Sequence, residues 1–262
     1  MNRRTVRKSG YISLSFNMKI YSALQIGAYH LNHCEDYLVT DHIGSEKLLC
    51  AVMDGCTMGS DSYFASTLVG KLLRKIAKAK GYKELFGAEP EQPDPEAYLK
   101  SILKDLFQEL LIIKSQMLLE QNELLTTLLI LLFDKKSGHG IILAVGDGVV
   151  AVNGVVTEFD QDNKPDYLGF HLHEDFDTWY AKQTQKIYIN SARDVSLATD
   201  GIGLFTKVAA PKADDVLDPI SYLLQNTENE DNDDMLELKL KRLEHVYGLK
   251  PSDDLAIVRI IE

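Results

Sequence analysis

The 262-residue chain predicts an α+β fold, with antiparallel sheets and helices packed outside them. Three observations carry this. Short apolar runs bounded by Gly, Asp and Asn recur at both ends of the chain and in its middle. Two pairs of amphipathic segments separate them, giving the order strands, two helices, strands, two helices, strand. No internal repeat or long flexible linker divides the chain, so 18–262 reads as one domain behind a poorly ordered lead at 1–17.

From Lys19 to Met53 the pattern is strand-like. Tyr37–Thr40 and Leu48–Met53 flank the turn signal Gly44-Ser45-Glu46, and the second run is apolar on both faces, as in a strand inside a sandwich. Ser60 can cap a first helix, with Asp61 in its first turn, Phe64, Leu68, Leu72 and Ile76 as its stripe and Gly81 as its stop. Pro90, Pro93 and Pro95 mark a break. Asp94-Pro95 then opens a second helix striped by Leu99, Ile102, Leu103, Leu106, Leu110, Ile113 and Met117. Leu128–Phe133, Ile141–Val145, Val149–Val152, Lys186–Ile189 and Val195–Thr199 read as short strands. Asp218-Pro219 opens a third helix, and 235–247 is a fourth that stops at Gly248. Glu228–Asp234 is an acidic loop, and Leu255–Ile261 is the last strand. Trp179 and Tyr180 belong either to a surface flap or to a satellite core.

Composition narrows the function. Hydrophobic residues at 45 % and charged residues at 26 % exclude a mainly disordered chain. A net charge of −11 argues against nucleic acid or an anionic membrane surface as the partner, since both need a basic face. The longest apolar stretch, Leu124–Phe133, is too short to span a bilayer. Three cysteines are too few and of the wrong parity for a disulfide framework, and the basic N-terminus lacks the apolar core of a secretion signal. Both point to the reducing cytoplasm.

The acids gather at strand ends. The midpoint between Asp36 and Asp54 is residue 45, inside the turn signal, so an antiparallel hairpin folded there sets the two side by side. Val145-Gly146-Asp147-Gly148, Asp200-Gly201 and Ser252-Asp253-Asp254 repeat the pattern at other strand tips. Each Asp-Gly alone is ordinary turn chemistry. Together, at the tips of apolar strands, like charges would repel unless a cation neutralised them. The donors are oxygens with no matching His/Cys set, which favours Mg²⁺ or Mn²⁺ over zinc.

Cys34-Glu-Asp36, Val52-Met-Asp-Gly55, Ala144-Val-Gly-Asp147, Leu197-Ala-Thr-Asp-Gly201 and Asp253-Asp-Leu-Ala-Ile-Val258 resemble, in order and across about residues 20–261, the motifs of metal-dependent Ser/Thr protein phosphatases of the 2C type. Thr126-Thr127 resembles that family's Gly-Ser/Thr-Thr element. The resemblance implies a four-layer α-β-β-α sandwich with two central, mostly antiparallel sheets and a metal site at one end. It implies that Asp54 bridges two ions, that the Gly55 carbonyl binds one, and that Asp200 and Asp253 bind the other. Glu35 and Asp36 would hold metal-bound waters, and Asp147 with Asp200 a weaker third ion. The activity implied is hydrolysis of phosphoserine and phosphothreonine in proteins, by a monomer. Two divalent ions would bring the formal charge from −11 to −7.

Two positions depart from the pattern. Leu31 stands four residues before Glu35, where the family often has a phosphate-binding Arg, leaving His30, His33 and Ser60 as candidates for substrate contact. Cys56 stands where many members have a His. Two other readings therefore remain beside the protein phosphatase: a catalytically silent module on the same fold, and a phosphatase of a small metabolite.

Overall fold

The structure, a computed structural model, describes residues 18–87, 94–161, 165–212 and 216–262; the expected lead at 1–17 lies outside these. Two five-stranded antiparallel sheets stack face to face. The first contains β1 (Lys19–Gln25), β6 (Gly148–Val152), β7 (Val155–Phe159), β9 (Asp194–Ala198) and β12 (Leu255–Ile261), in the order β1-β12-β9-β6-β7. The second contains β2 (Tyr37–Ile43), β3 (Lys47–Met53), β4 (Leu128–Asp134), β5 (Gly140–Val145) and β8 (Lys186–Ile189), in that spatial order. A short ribbon pairs β10 (Phe205–Lys207) with β11 (Leu249–Pro251).

Strand periodicity builds the layers. On β3, Leu48, Cys50 and Val52 face the other sheet, packing in one core with Leu131, Ile142, Leu197 and Val258. The alternate residues Leu49, Ala51 and Met53 face α1 (Ser62–Leu85) and α2 (Pro95–Met117), in a second core that includes α3 (Phe176–Lys182). A third core lies between the first sheet and α4 (Pro219–Leu224) with α5 (Met235–Arg242). The layers are therefore α-β-β-α, as expected. Among the described residues no helix is long and apolar enough to cross a membrane.

Arg259 ties the outer helices to the first sheet. It is fully buried on β12, grips both carboxylate oxygens of Asp194 (3.0 and 2.6 Å), and donates to the carbonyls of Leu223, Gln225 and Asn226 at the end of α4. Such a cation is tolerated inside because every donor direction is answered.

Several local expectations are corrected. The N-cap of α1 is Asp61, not Ser60; the Ser60 hydroxyl accepts from Asn122 instead, at 3.1 Å. The buried face of α1 runs through Ala65, Val69, Leu72, Leu73, Ile76 and Ala77. A strict interval of four advances about 400° per step, so Phe64 and Leu68 drift off that face. Gly81 lies inside the helix. An added Cβ there would sit 3.0 Å from the Gly44 amide nitrogen, so this glycine serves close packing on the β2–β3 turn and not a stop. The end of α2 runs past its sheet, leaving Met117 exposed. Trp179 and Tyr180 are core residues of α3, with the Trp179 ring 4.5 Å from Phe107 of α2. β7, α3 and the β10–β11 ribbon had no clear signal in the sequence.

Candidate metal centre

β2 and β3 pair with Tyr37 opposite Met53, which carries Asp36 opposite Asp54 one step beyond the ladder. The two carboxyls lie close enough that each acts on the other's ionisation. Thr199 Oγ1 donates to Asp36 Oδ2 at 2.6 Å. Burial pushes Asp54 well above the usual carboxylate range, and the charges of Asp36, Asp200 and Asp253 push it further. Burial likewise raises Asp36, against the Thr199 hydrogen bond.

The backbone of Asp54 is clamped from β4. Its amide donates to Thr127 Oγ1 (3.0 Å), while its carbonyl accepts from the Thr127 amide (2.9 Å) and from Thr126 Oγ1 (2.7 Å). Gly55 bridges Thr126, but both ladder bonds are made by its neighbours Asp54 and Cys56, so the Gly55 carbonyl stands outside the ladder. A Cβ on Gly55 would lie 2.0 Å from the Ser62 carbonyl oxygen, and so only glycine fits.

The other carboxylates come from the first sheet and its turns. Asp200 follows β9 and opens a 3₁₀ turn; burial and then Asp253 raise its pKa. Asp147 sits in the β5–β6 turn. Its Oδ1 is buried with no hydrogen-bond partner among the described residues, and burial, with Asp200 and Asp160, pushes it up to about 6. Asp253 is half exposed, and its Oδ1 accepts from the Asp254 amide at 2.8 Å.

Asp254 was not singled out from the sequence, yet it organises the 27–35 loop. It is buried, and it accepts from the Gly27 amide (2.8 Å), the Glu35 amide (2.6 Å) and His30 Nδ1 (2.8 Å). The other ring nitrogen of His30 lies 3.2 Å from Asp253 Oδ1. Burial works against a charged His30, but the hydrogen bond and charge of Asp254, then Asp253, outweigh it and raise its pKa. Its adjacency to Asp253 was the one signal that could have marked Asp254.

Glu35 turns away from the group. Successive side chains of an extended segment point to opposite sides, so when Asp36 faces inward Glu35 faces α1. There it accepts from Thr57 (2.9 Å) and Ser62 (2.6 Å). Its surroundings form a cleft of about 400 Å³ that also includes His30, Leu31, His33 and Ser60, with the His33 ring 4.6 Å from that of Tyr63. The structure thus brings Asp36, Asp200 and Asp253 into electrostatic reach of Asp54, with Asp147 reaching Asp200, and sets Glu35, His33 and Ser60 to one side. Among the described residues, three ligand-type atoms lie within 4.8 Å of one another at His30, Asp253 and Asp254, and no three of the five carboxylates come that close together.

Five gathered carboxylates, two of them buried against each other, and a buried oxygen without a partner among the described residues fit a divalent cation with oxygen ligands. Asp54 and Asp36 are held from the second sheet, Asp200 and Asp253 from the first.

Comparison with known proteins agrees with the fold. The model of a family described as Protein phosphatase 2C matches residues 26–242. A bacterial serine phosphatase shares the fold at 16 % identity, with a TM-score of 0.57 over 94 % of this chain and 98 % of that one. The phosphatase domain with a regulatory fragment of SpoIIE from Bacillus subtilis matches at 17 % identity and a TM-score of 0.54, over 94 % of this chain; the chain spans 63 % of that protein's length. RsbX, in complex with magnesium, matches at 15 % identity and a TM-score of 0.52, over 93 % and 94 % of the two chains. No curated protein matches.

Proposed function

The chain belongs to the protein phosphatase 2C family, and on that premise we propose that it hydrolyses phosphoserine and phosphothreonine esters of proteins, with two Mg²⁺ or Mn²⁺ ions held at the strand-tip carboxylates. The observation that carries the reading is the convergence of Asp36, Asp54, Asp147, Asp200 and Asp253 at one end of the two sheets, with a partnerless buried oxygen among them. Asp54 and the Gly55 carbonyl would hold one ion, and Asp54, Asp200 and Asp253 the other. Asp147 with Asp200 would take a weaker third. Bound divalent ions supply a water acidic enough to attack phosphorus near neutral pH and offset charge on the phosphoryl oxygens.

The chain's own residues prepare that chemistry. Thr126 and Thr127 fix the Asp54 backbone and so the point from which its carboxylate projects. Thr199 orients Asp36, which would accept from an ordered water, while Asp254 holds the loop that carries Glu35 in place. Glu35 lies on the floor of the neighbouring cleft, where His30, His33 and Ser60 would meet the substrate. The protein is proposed to act as a cytoplasmic monomer on phosphoproteins. In purified protein with Mn²⁺, hydrolysis of p-nitrophenyl phosphate and of a phosphoserine peptide is expected to require the metal and to vanish in Asp54→Asn. Undiminished turnover by that variant would overturn the reading. An inert wild type would favour the silent module, which the exposed Leu31 supports. Turnover of small phosphorylated metabolites but not of the peptide would select the metabolite reading.

A further inference from the structure

The loop that carries His30 is laced to the chain that carries Asp253. The Ala28 amide donates to the Pro251 carbonyl (2.8 Å) and the Tyr29 amide to the Ser252 carbonyl (3.1 Å). The Gly27 amide donates to Asp254 Oδ1 at 2.8 Å, and an added Cβ on Gly27 would sit 2.3 Å from the Asp253 carbonyl carbon. These contacts set His30 against Asp253 through the backbone, independently of either side chain.

The ring is oriented as well. Its Nδ1 donates to Oδ2 of the buried Asp254 at 2.8 Å. A carboxylate on one ring nitrogen fixes where the other nitrogen points, as it does for histidines that bind metals. That other nitrogen, Nε2, lies 3.2 Å from Asp253 Oδ1. Two lone pairs at this distance repel unless a positive centre sits between them. Two donors held at right angles, each about 2.1 Å from one ion, stand about 3 Å apart. Asp253 Oδ1 spends one lone pair on the Asp254 amide, which leaves one for an ion.

We propose that His30 Nε2 and Asp253 Oδ1 bind the same divalent ion, and that this imidazole makes the centre prefer Mn²⁺ to Mg²⁺. The inference rests on the phosphatase reading above and adds one nitrogen to its oxygen ligands. Mg²⁺ keeps to oxygen donors and gives up its waters reluctantly, whereas first-row transition ions gain from an imidazole. The ion takes the place of the proton that otherwise bridges the two groups. His30 also lines the cleft beside Glu35, which puts this ion on the substrate's side of the centre.

The test is His30→Asn, whose amide nitrogen can still donate to Asp254 but which has nothing at the place of Nε2. Electron spin echo modulation of the full chain with less than one equivalent of Mn²⁺ should show coupling to ¹⁴N. That coupling should vanish in His30→Asn and persist in His33→Asn. By titration calorimetry, the preference for Mn²⁺ over Mg²⁺ should fall about tenfold or more in His30→Asn. No ¹⁴N coupling in the wild type, its survival in His30→Asn, or an unchanged preference would overturn the inference alone. A wild type that binds neither ion would overturn it together with the phosphatase reading.

Discussion

Asp147 offers a quantitative test of the carboxylate cluster, because its environment should make it costly to the metal-free protein. Burial and the charges of Asp200 and Asp160 move its carboxyl from 3.8 to about 6. A folded-state pKa raised in this way gives stability that is fully present below the unfolded value and is lost as pH rises through the folded one. At roughly 1.4 kcal/mol per pH unit, the loss between pH 4 and pH 7 is at most about 3 kcal/mol. The side chain is partly open to solvent, which reduces this to about 1–2 kcal/mol. Asparagine keeps the shape and cannot ionise, so it escapes the loss. In EDTA, Asp147→Asn should therefore melt about 3–6 °C above wild type at pH 7 and near wild type at pH 4. Adding Mn²⁺ at pH 7 should shrink or reverse the gap, since a bound ion stabilises wild type more. Calorimetric scans of both proteins at the two pH values give the comparison. A gap independent of pH would refute the account of Asp147 as a carboxylate raised by its neighbours.

Three further outcomes follow from the packing. Asp254→Ala strands the Gly27 and Glu35 amides and should cost about 3 kcal/mol or more in urea denaturation; a cost below about 1 kcal/mol would mean the loop is held elsewhere. Arg259→Met leaves the half-buried Asp194 without its partner and frees three carbonyls inside the protein, so a loss of about 3 kcal/mol is expected, and a neutral effect would show the pair to be dispensable. His171 bridges Asp166 and Glu174; burial opposes its charge, but those two bonds raise its pKa, so its stabilisation is full below about 6.5 and is lost as pH rises. The deficit of His171→Gln should accordingly be larger at pH 5.5 than at pH 8.5, and the opposite trend would contradict the bridge.

Much of this architecture is legible because strands and hairpins obey short-range rules. The turn at 44–46 sets the register that places Asp36 against Asp54, and the doubly apolar run at Leu48–Met53 announces a strand with cores on both sides. The face of α1 is less legible, because an interval of four and the true helical period separate only over several turns. Glu35 and Asp36 look alike in the sequence, yet neighbours in an extended chain part company, and only the contact with Ser62 shows which one turns outward. The pairing of His30 with Asp254 depends on how the 27–35 loop lies over the last strand, 224 residues away in the chain, beyond the reach of local pattern.

The carboxylates of the proposed centre stand on both sheets, two at the end of the hairpin of the second and two beside strand ends of the first. An ion shared by them would work as a rivet between the layers, and the sandwich could not gape without losing it. Catalytic competence and correct closure would then be one event. A nascent, damaged or partly melted chain would be inactive by construction, so errors of folding would silence the enzyme and not loosen its specificity.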